Sequence, residues 1–323
     1  MSITNNSGAI SDYSESLLVH FRRKENLRRQ ALTYPGIDLS ARQLCDLELL
    51  LNRAFYPLTG FIGQNDYESI LTTLRLANGS VWPMPICFDI NEKTANTLNK
   101  GQAIALNDQE GFMLAVLTIT DIWKPDKNHE ALQIYGTSDP SKHPAVRTLL
   151  EQTSDWYIGG SLEGLTLPIH YDFPELRLTP SETHRLFSQN GWRNIIGFHT
   201  GNYIHRSQKE MILKAGREAG ANILLQPVVG MSHPGNLDHY TRVRCYEEIV
   251  KKYPKNLCAL GLLPLATRMA GPREALWHAL IKRNYGCSHI MIADDHGDPC
   301  EGSAKHERFY PRKAAQEIGR AHV

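Results

Sequence analysis

Between residues 39 and 168 the hydrophobic positions come in short runs, 81–90 and 112–119 among them, broken repeatedly by Gly, Pro and Asn. Runs of that length bounded by turn residues predict strands. The region therefore reads as mainly β, with helical stretches at 41–51 and 67–76. Gly136, Asp139, Pro140 and Pro144 make 135–146 a loop. Pro168, Pro174 and Pro180 then cluster, which places a domain boundary between Leu165 and Leu178. The pattern shows no internal repeat and no low-complexity tract.

Past that boundary the rhythm changes. A short apolar strand candidate at 194–199 is followed by 204–220, where Ile204, Met211, Ile212, Ala215 and Ala219 recur at near-helical spacing. A strand at 222–225 and a helix at 240–253 come next, then a strand at 257–265 and a helix at 271–285. That last helix has Pro272 near its start and Gly286 just past its end, the favoured polarity of the two residues. A fourth strand is expected at 288–293. Strands alternating with helices predict an α/β domain with a parallel sheet covered on both faces.

Ligands of such sheets bind beyond the carboxyl ends of the strands. The residues to read are thus His199, Thr200, Gly201, Asn202 and His205 after the first strand, and 226–230 after the second. Thr267 and Arg268 follow the third, and Asp294, Asp295, His296, Gly297 and Asp298 the fourth.

Composition narrows the classes. The 323 residues, 41% hydrophobic, suffice for two cores. Thirty-five Lys and Arg against 34 Asp and Glu give a net charge of +1. No general basic field points to nucleic acid or a membrane surface. No run reaches the roughly 18 apolar residues of a membrane span, and the first residues lack a secretory apolar core, so a cytoplasmic setting is expected. The six cysteines form no CxxC pair and are expected to be free thiols.

Two loops carry candidate chemistry. The first turn of the 204–220 helix offers free backbone N–H groups and a positive dipole end, a natural phosphate site with His205 and Arg206 beside it. The alternative is that Asn202 and His205 simply cap the helix. Neither GxxxxGK[ST] nor GxGxxG is present. In 294–298 three carboxylates flank His296, which could hold Mg²⁺ or form a solvated turn. The other histidines, His278 included, lack metal-ligand spacing and read as surface or structural residues.

The segments Thr200-Gly-Asn-Tyr-Ile-His205 and Leu263-Pro-Leu-Ala-Thr-Arg-Met-Ala-Gly-Pro-Arg-Glu-Ala275 resemble the ATP sulfurylase (sulfate adenylyltransferase) family. So do Arg42-Gln-Leu-Cys-Asp-Leu-Glu48, Phe55-Tyr-Pro-Leu-Thr-Gly-Phe61, Trp82-Pro-Met-Pro85, Gly136-Thr-Ser-Asp139 and Arg244-Cys-Tyr246, in family order. The resemblance implies a PUA-like mainly-β domain over 1–170 and a Rossmann-like nucleotidyltransferase domain over 171–316. It also implies transfer of AMP from ATP to sulfate with Mg²⁺, and oligomers are common in the family. Thr200, Asn202 and His205 fall on its catalytic positions. His199, Gly201, Asp295, His296 and Gly297 fall where the nucleotide is bound, and His199, Gly201, Asp294 and Gly297 line the acceptor pocket.

The departures lie at that pocket. His199 replaces a Gln of the family motif, Gly201 an Arg, Gln208 a second His, and Asp294 an Arg. Losing a charged partner of a dianion typically costs about 1.5–3 kcal/mol. Three readings follow: a sulfurylase whose pocket is rebuilt with Arg177, Arg206 or Arg268; a sister enzyme using a phosphonate, carboxylate or other acceptor; and an inactive homologue with a structural or regulatory role. The final Ile318-Gly-Arg-Ala-His-Val323 matches the translation of a common sequencing adapter, so 317–323 is expected to be a non-native tail and the natural frame to continue.

Overall fold

The turn-rich first half folds around a single sheet. In the computed structural model, which describes residues 16–198, 203–231, 239–300 and 308–322, this sheet has six strands: β1 (Gly36–Asp38), β2 (Gly60–Phe61), β3 (Phe88–Ile90), β4 (Ala103–Asn107), β5 (Met113–Trp123) and β6 (Trp156–Gly164). Their order is β1-β4-β5-β6-β2, with β3 also on β6, and every pair is antiparallel except β1 with β4. The strand expected at 112–119 runs on to Trp123, where Trp123 and Tyr157 are cross-strand partners with rings 5.7 Å apart. Of the 81–90 run, only β3 is strand.

Six helices accompany this sheet: α1 (Phe21–Ala31), α2 (Ala41–Leu51), α3 (Gln64–Thr73), α4 (Glu92–Ala95), α5 (Lys127–Tyr135) and α6 (Pro144–Arg147). α2 starts at a reciprocal Ser40/Gln43 capping box. α3 starts and stops three residues earlier than expected, because Leu74 takes a left-handed φ of 59° that ends the helix. α1 escapes the hydrophobic pattern because it buries only Leu27 and Ala31.

The second half is the expected parallel sheet: β7 (Ile195–Phe198), β8 (Asn222–Leu225), β9 (Cys258–Leu260) and β10 (His289–Ile290), in the order β10-β7-β8-β9. Helices α7 (Pro180–Gln189), α8 (Arg206–Glu218), α9 (His239–Val250), α10 (Gly271–Asn284) and α11 (Ala314–His322) complete it. The strands sort their side chains with period two: Ile223 and Leu225 join Ile212 of α8 and Tyr246 of α9, whereas Leu224 joins Trp277 of α10 on the other face. β9 and β10 are shorter than the apolar runs at 257–265 and 288–293. Beyond β9 the backbone bonds to loops instead, with Leu262 N donating to Leu176 O at 2.7 Å and Leu263 N to Pro227 O at 3.0 Å.

One core joins the two halves, because Phe55, Trp82 and Trp277 belong to the same buried cluster and the Phe55 and Trp277 rings lie 5.3 Å apart. Asn284 of α10 donates to Ala54 O and Tyr56 O at 2.9 Å each, and Arg273 to Leu71 O at 2.7 Å.

Candidate functional site

The strand order reverses between β7 and β10, so the crevice of this sheet opens beside the loops that follow those two strands. Of the first loop, His199, Thr200, Gly201 and Asn202 lie outside the described residues. Its far end is described. His205 is exposed and stands at the N-cap of α8 in extended backbone, and its N–H donates to Gln208 Oε1 at 3.0 Å. Gln208 thus closes the first turn from position N3, where Gln and Glu do this well. Arg206, the first residue of α8, is exposed.

The loops after β8 and β9 run side by side. Val228 and Leu263 form a parallel bridge, and Val229 N donates to Leu263 O at 2.9 Å. At Gly230 a Cβ would stand 2.2 Å from Leu265 O, so only glycine permits this approach.

The loop after β10 does not gather its carboxylates. Asp294 accepts from Arg312 Nε at 3.0 Å and from Gln316 Nε2 of α11 at 3.1 Å. Arg312 holds its carboxyl below the ordinary value. Buried Asp298 accepts from the amides of Cys300, Phe309 and Tyr310 at 2.8–3.0 Å, tying the loop to the chain that follows. Asp295 is half-buried. Gly297 has a φ of +68°, and its carbonyl accepts from Gly271 N at 2.9 Å. No cluster of three or more His, Cys, Asp or Glu side chains suited to a metal occurs among the described residues.

His296 is buried, with Nε2 2.9 Å from Nδ1 of His278. Burial first, and then the neighbouring His278, push its pKa down to about 3, so the ring is neutral at pH 7. His278 belongs to a stripe that the sequence reading passed over. Glu274, His278 and Lys282 recur at i, i+4 and i+8 on α10, all three buried. Burial works against ionisation of Glu274, but its contact with His278 and the amides of Arg268 and Ala270, both at 2.9 Å, bring its pKa to about 2. Lys282 donates to Gln226 Oε1 at 2.5 Å, at the end of β8, and burial lowers its pKa to about 7. The legible signal was the spacing of three ionisable residues on one helix face.

Two of the three arginines that could rebuild an anion pocket are already engaged. Arg177 Nη2 donates to both carboxylate oxygens of Asp172 at 2.8 Å, and Arg268 Nη2 to both of the fully buried Asp46 of α2 at 2.7 Å. Arg42 reaches the same Asp46 at 3.2 Å and also pairs with Asp89. Arg206 is the arginine of this set left facing solvent.

An open parallel sheet with its switch point beside polar strand-end loops is the architecture of nucleotide-binding α/β proteins. Comparison with known proteins narrows this. Residues 12–167 match the model of the PUA-like domain, and residues 174–322 match that of ATP-sulfurylase. A sulfate adenylyltransferase of Saccharomyces cerevisiae is 46% identical over 281 residues, covering 87% of this chain and 54% of that protein. One of Schizosaccharomyces pombe is 45% identical over 305 residues, covering 92% and 62%. A solved structure described as a hexameric APS kinase from Thiobacillus denitrificans superposes with a TM-score of 0.75 at 31% identity, over 95% of this chain and 54% of that one. The chain belongs to the ATP-sulfurylase family. It spans somewhat more than half the length of the curated relatives it matches.

Proposed function

We propose that this chain carries the site of a sulfate adenylyltransferase. A sulfate oxygen attacks the α-phosphorus of ATP, the bond from that phosphorus to the bridging oxygen breaks, and pyrophosphate leaves with the electron pair. The 46% identity to the Saccharomyces cerevisiae sulfate adenylyltransferase, maintained over 281 residues, carries this reading.

In it, Thr200, Asn202 and His205 serve the transfer, with His205 at the positive end of α8 where phosphate charge is favoured. Asp295, His296 and Gly297 face the nucleotide from the opposite side of the crevice, and His199 and Gly201 border the acceptor. Such catalysis is mainly positioning and charge stabilisation. Magnesium belongs to the substrate as MgATP. Arg206 is the cation available to the anion from the described residues. The domain division between residues 170 and 171, self-association and a cytoplasmic setting are parts of the same reading; the free cysteines suit a reducing compartment.

The test is pyrophosphate release from MgATP with and without sulfate. Sulfate-dependent release that falls about 100-fold in His205→Ala is the expected result. Release with phosphonates or carboxylates and none with sulfate would replace the acceptor, and ATP binding without turnover on any of them would overturn the activity.

A further inference from the structure

We infer that Glu274, His278 and Lys282 are positioning residues: the polar stripe of α10 registers the strand-end loops against one another and orients His296. This rests on the reading of the edge as a nucleotide site. Each member of the stripe meets a different part of that edge. Glu274 accepts from the amides of Arg268 and Ala270 in the loop after β9, at 2.9 Å each. His278 meets His296 in the loop after β10 at 2.9 Å. Lys282 donates to Gln226 at the end of β8, and its stem lies against Gly197 of β7, where a Cβ would come within 3.1 Å of Lys282 Cδ. A single rigid helix, with one turn per ~5.4 Å, thus sets the spacing of the loops after β8, β9 and β10 and packs against β7 itself.

The stripe also orders protons. His278 Nε2 lies 3.4 Å from Glu274 Oε1, an electrostatic contact in which the carboxylate favours hydrogen on the facing ring nitrogen. That places a proton on His278 Nε2. The 2.9 Å contact between His278 Nδ1 and His296 Nε2 holds one further proton, so the His296 ring is held by an orientation that begins at Glu274. A helix that buries Ala275, Leu276, Trp277, Ala279, Leu280 and Ile281 also buries three ionisable groups along one face, from its first turn to its last, all within reach of the loops. Groups that orient the residues of a site in this way commonly change affinity or activity about 10–100-fold when altered.

The experiment uses the whole chain. Long-range ¹H–¹⁵N spectra of the wild-type imidazoles are expected to show His278 protonated at Nε2 and a neutral His296 at pH 7. A cationic His296, or His278 protonated at Nδ1 alone, would overturn the proton order. Amide hydrogen exchange then compares wild type with Glu274→Gln. Arg268 and Ala270 are expected to exchange at least about tenfold faster while the β5–β6 amides stay within about twofold, and ATP is expected to bind about tenfold more weakly. Equal acceleration in both sheets would mean that Glu274 supplies stability alone. Faster loop exchange with unchanged ATP affinity would show that the ordered loops do not serve the nucleotide. If Glu274→Gln does not fold, Lys282→Met gives the same comparison at Gln226 and Val228. Wild-type protein that binds no ATP would sink the nucleotide-site reading, separately from the exchange and imidazole results.

Discussion

Glu130 in the N-terminal sheet domain and Glu274 on α10 are both sealed from water, at 6% and 1% exposure. Glu130 accepts from the hydroxyls of Tyr67 and Tyr157 at 2.9 and 3.0 Å, and burial outweighs those neutral donors, so its pKa is raised. Glu274 has two backbone amides and His278, which outweigh burial, so its pKa is lowered. Depth alone therefore does not decide the charge of a carboxyl group; the number and kind of its donors do. The protein biases a buried acid toward its neutral form in the core of one domain and holds an anion beneath the loops of the other.

The largest test of that contrast is a third buried carboxylate. Asp46, shared by Arg42 and Arg268, is fully buried, and Asp46→Ala leaves both guanidinium groups without it. A loss of about 3–5 kcal/mol in urea unfolding is expected, and a loss below about 1 would mean that Arg42 and Arg268 do not depend on Asp46 for their place in the fold.

Glu274→Gln should cost about 1.5–3 kcal/mol at pH 7, since the Arg268 and Ala270 amides bond to different carboxylate oxygens and Gln keeps an acceptor for one of them while turning an NH2 donor toward the other. Its pH signature follows from the sign of the shift. The folded pKa of about 2 lies below the ordinary 4.5, so the contribution of Glu274 is present above pH 4.5 and lost as the pH falls toward 2. The variant should lose that acid-side slope when stability is measured across the window. Glu130 has the opposite sign: its contribution is present below pH 4.5 and lost as the pH rises through its raised folded value.

Gly297→Ala is a smaller probe of the same neighbourhood. A residue with a Cβ at φ +68° would sit 3.1 Å from Glu274 Oε2, and a loss of about 1–2 kcal/mol in thermal unfolding is expected. Glu130→Gln should be the mildest, within about 1 kcal/mol at neutral pH, because one amide oxygen still accepts from both tyrosines. If it matched Glu274→Gln, the distinction between the two acids would fall.

The strand–helix alternation of 194–293 was legible because each strand is apolar on both faces and each helix carries its own periodicity, down to Pro272 and Gly286 at the ends of α10. The site was legible as a set of loops at one edge and much less as an arrangement. Asp294 looked like an intruding charge, since its partner Arg312 lies 18 residues further on and nothing local announces it. Arg268 looked available for an anion, but Asp46, 222 residues earlier in the chain, holds it. His278 looked scattered, because its meaning depends on Glu274 and Lys282 sharing its helix face. Partners distant in sequence decide which charges are spent inside the fold.

The aromatic contact between Phe55 and Trp277 also bears on how such a protein can be divided. A fragment of residues 174–322 would match one family model and still carry on its surface the apolar face that Phe55 and Trp82 now cover. The two halves match separate family models and share one packed core, so neither half can be moved to another protein as a ready-made part.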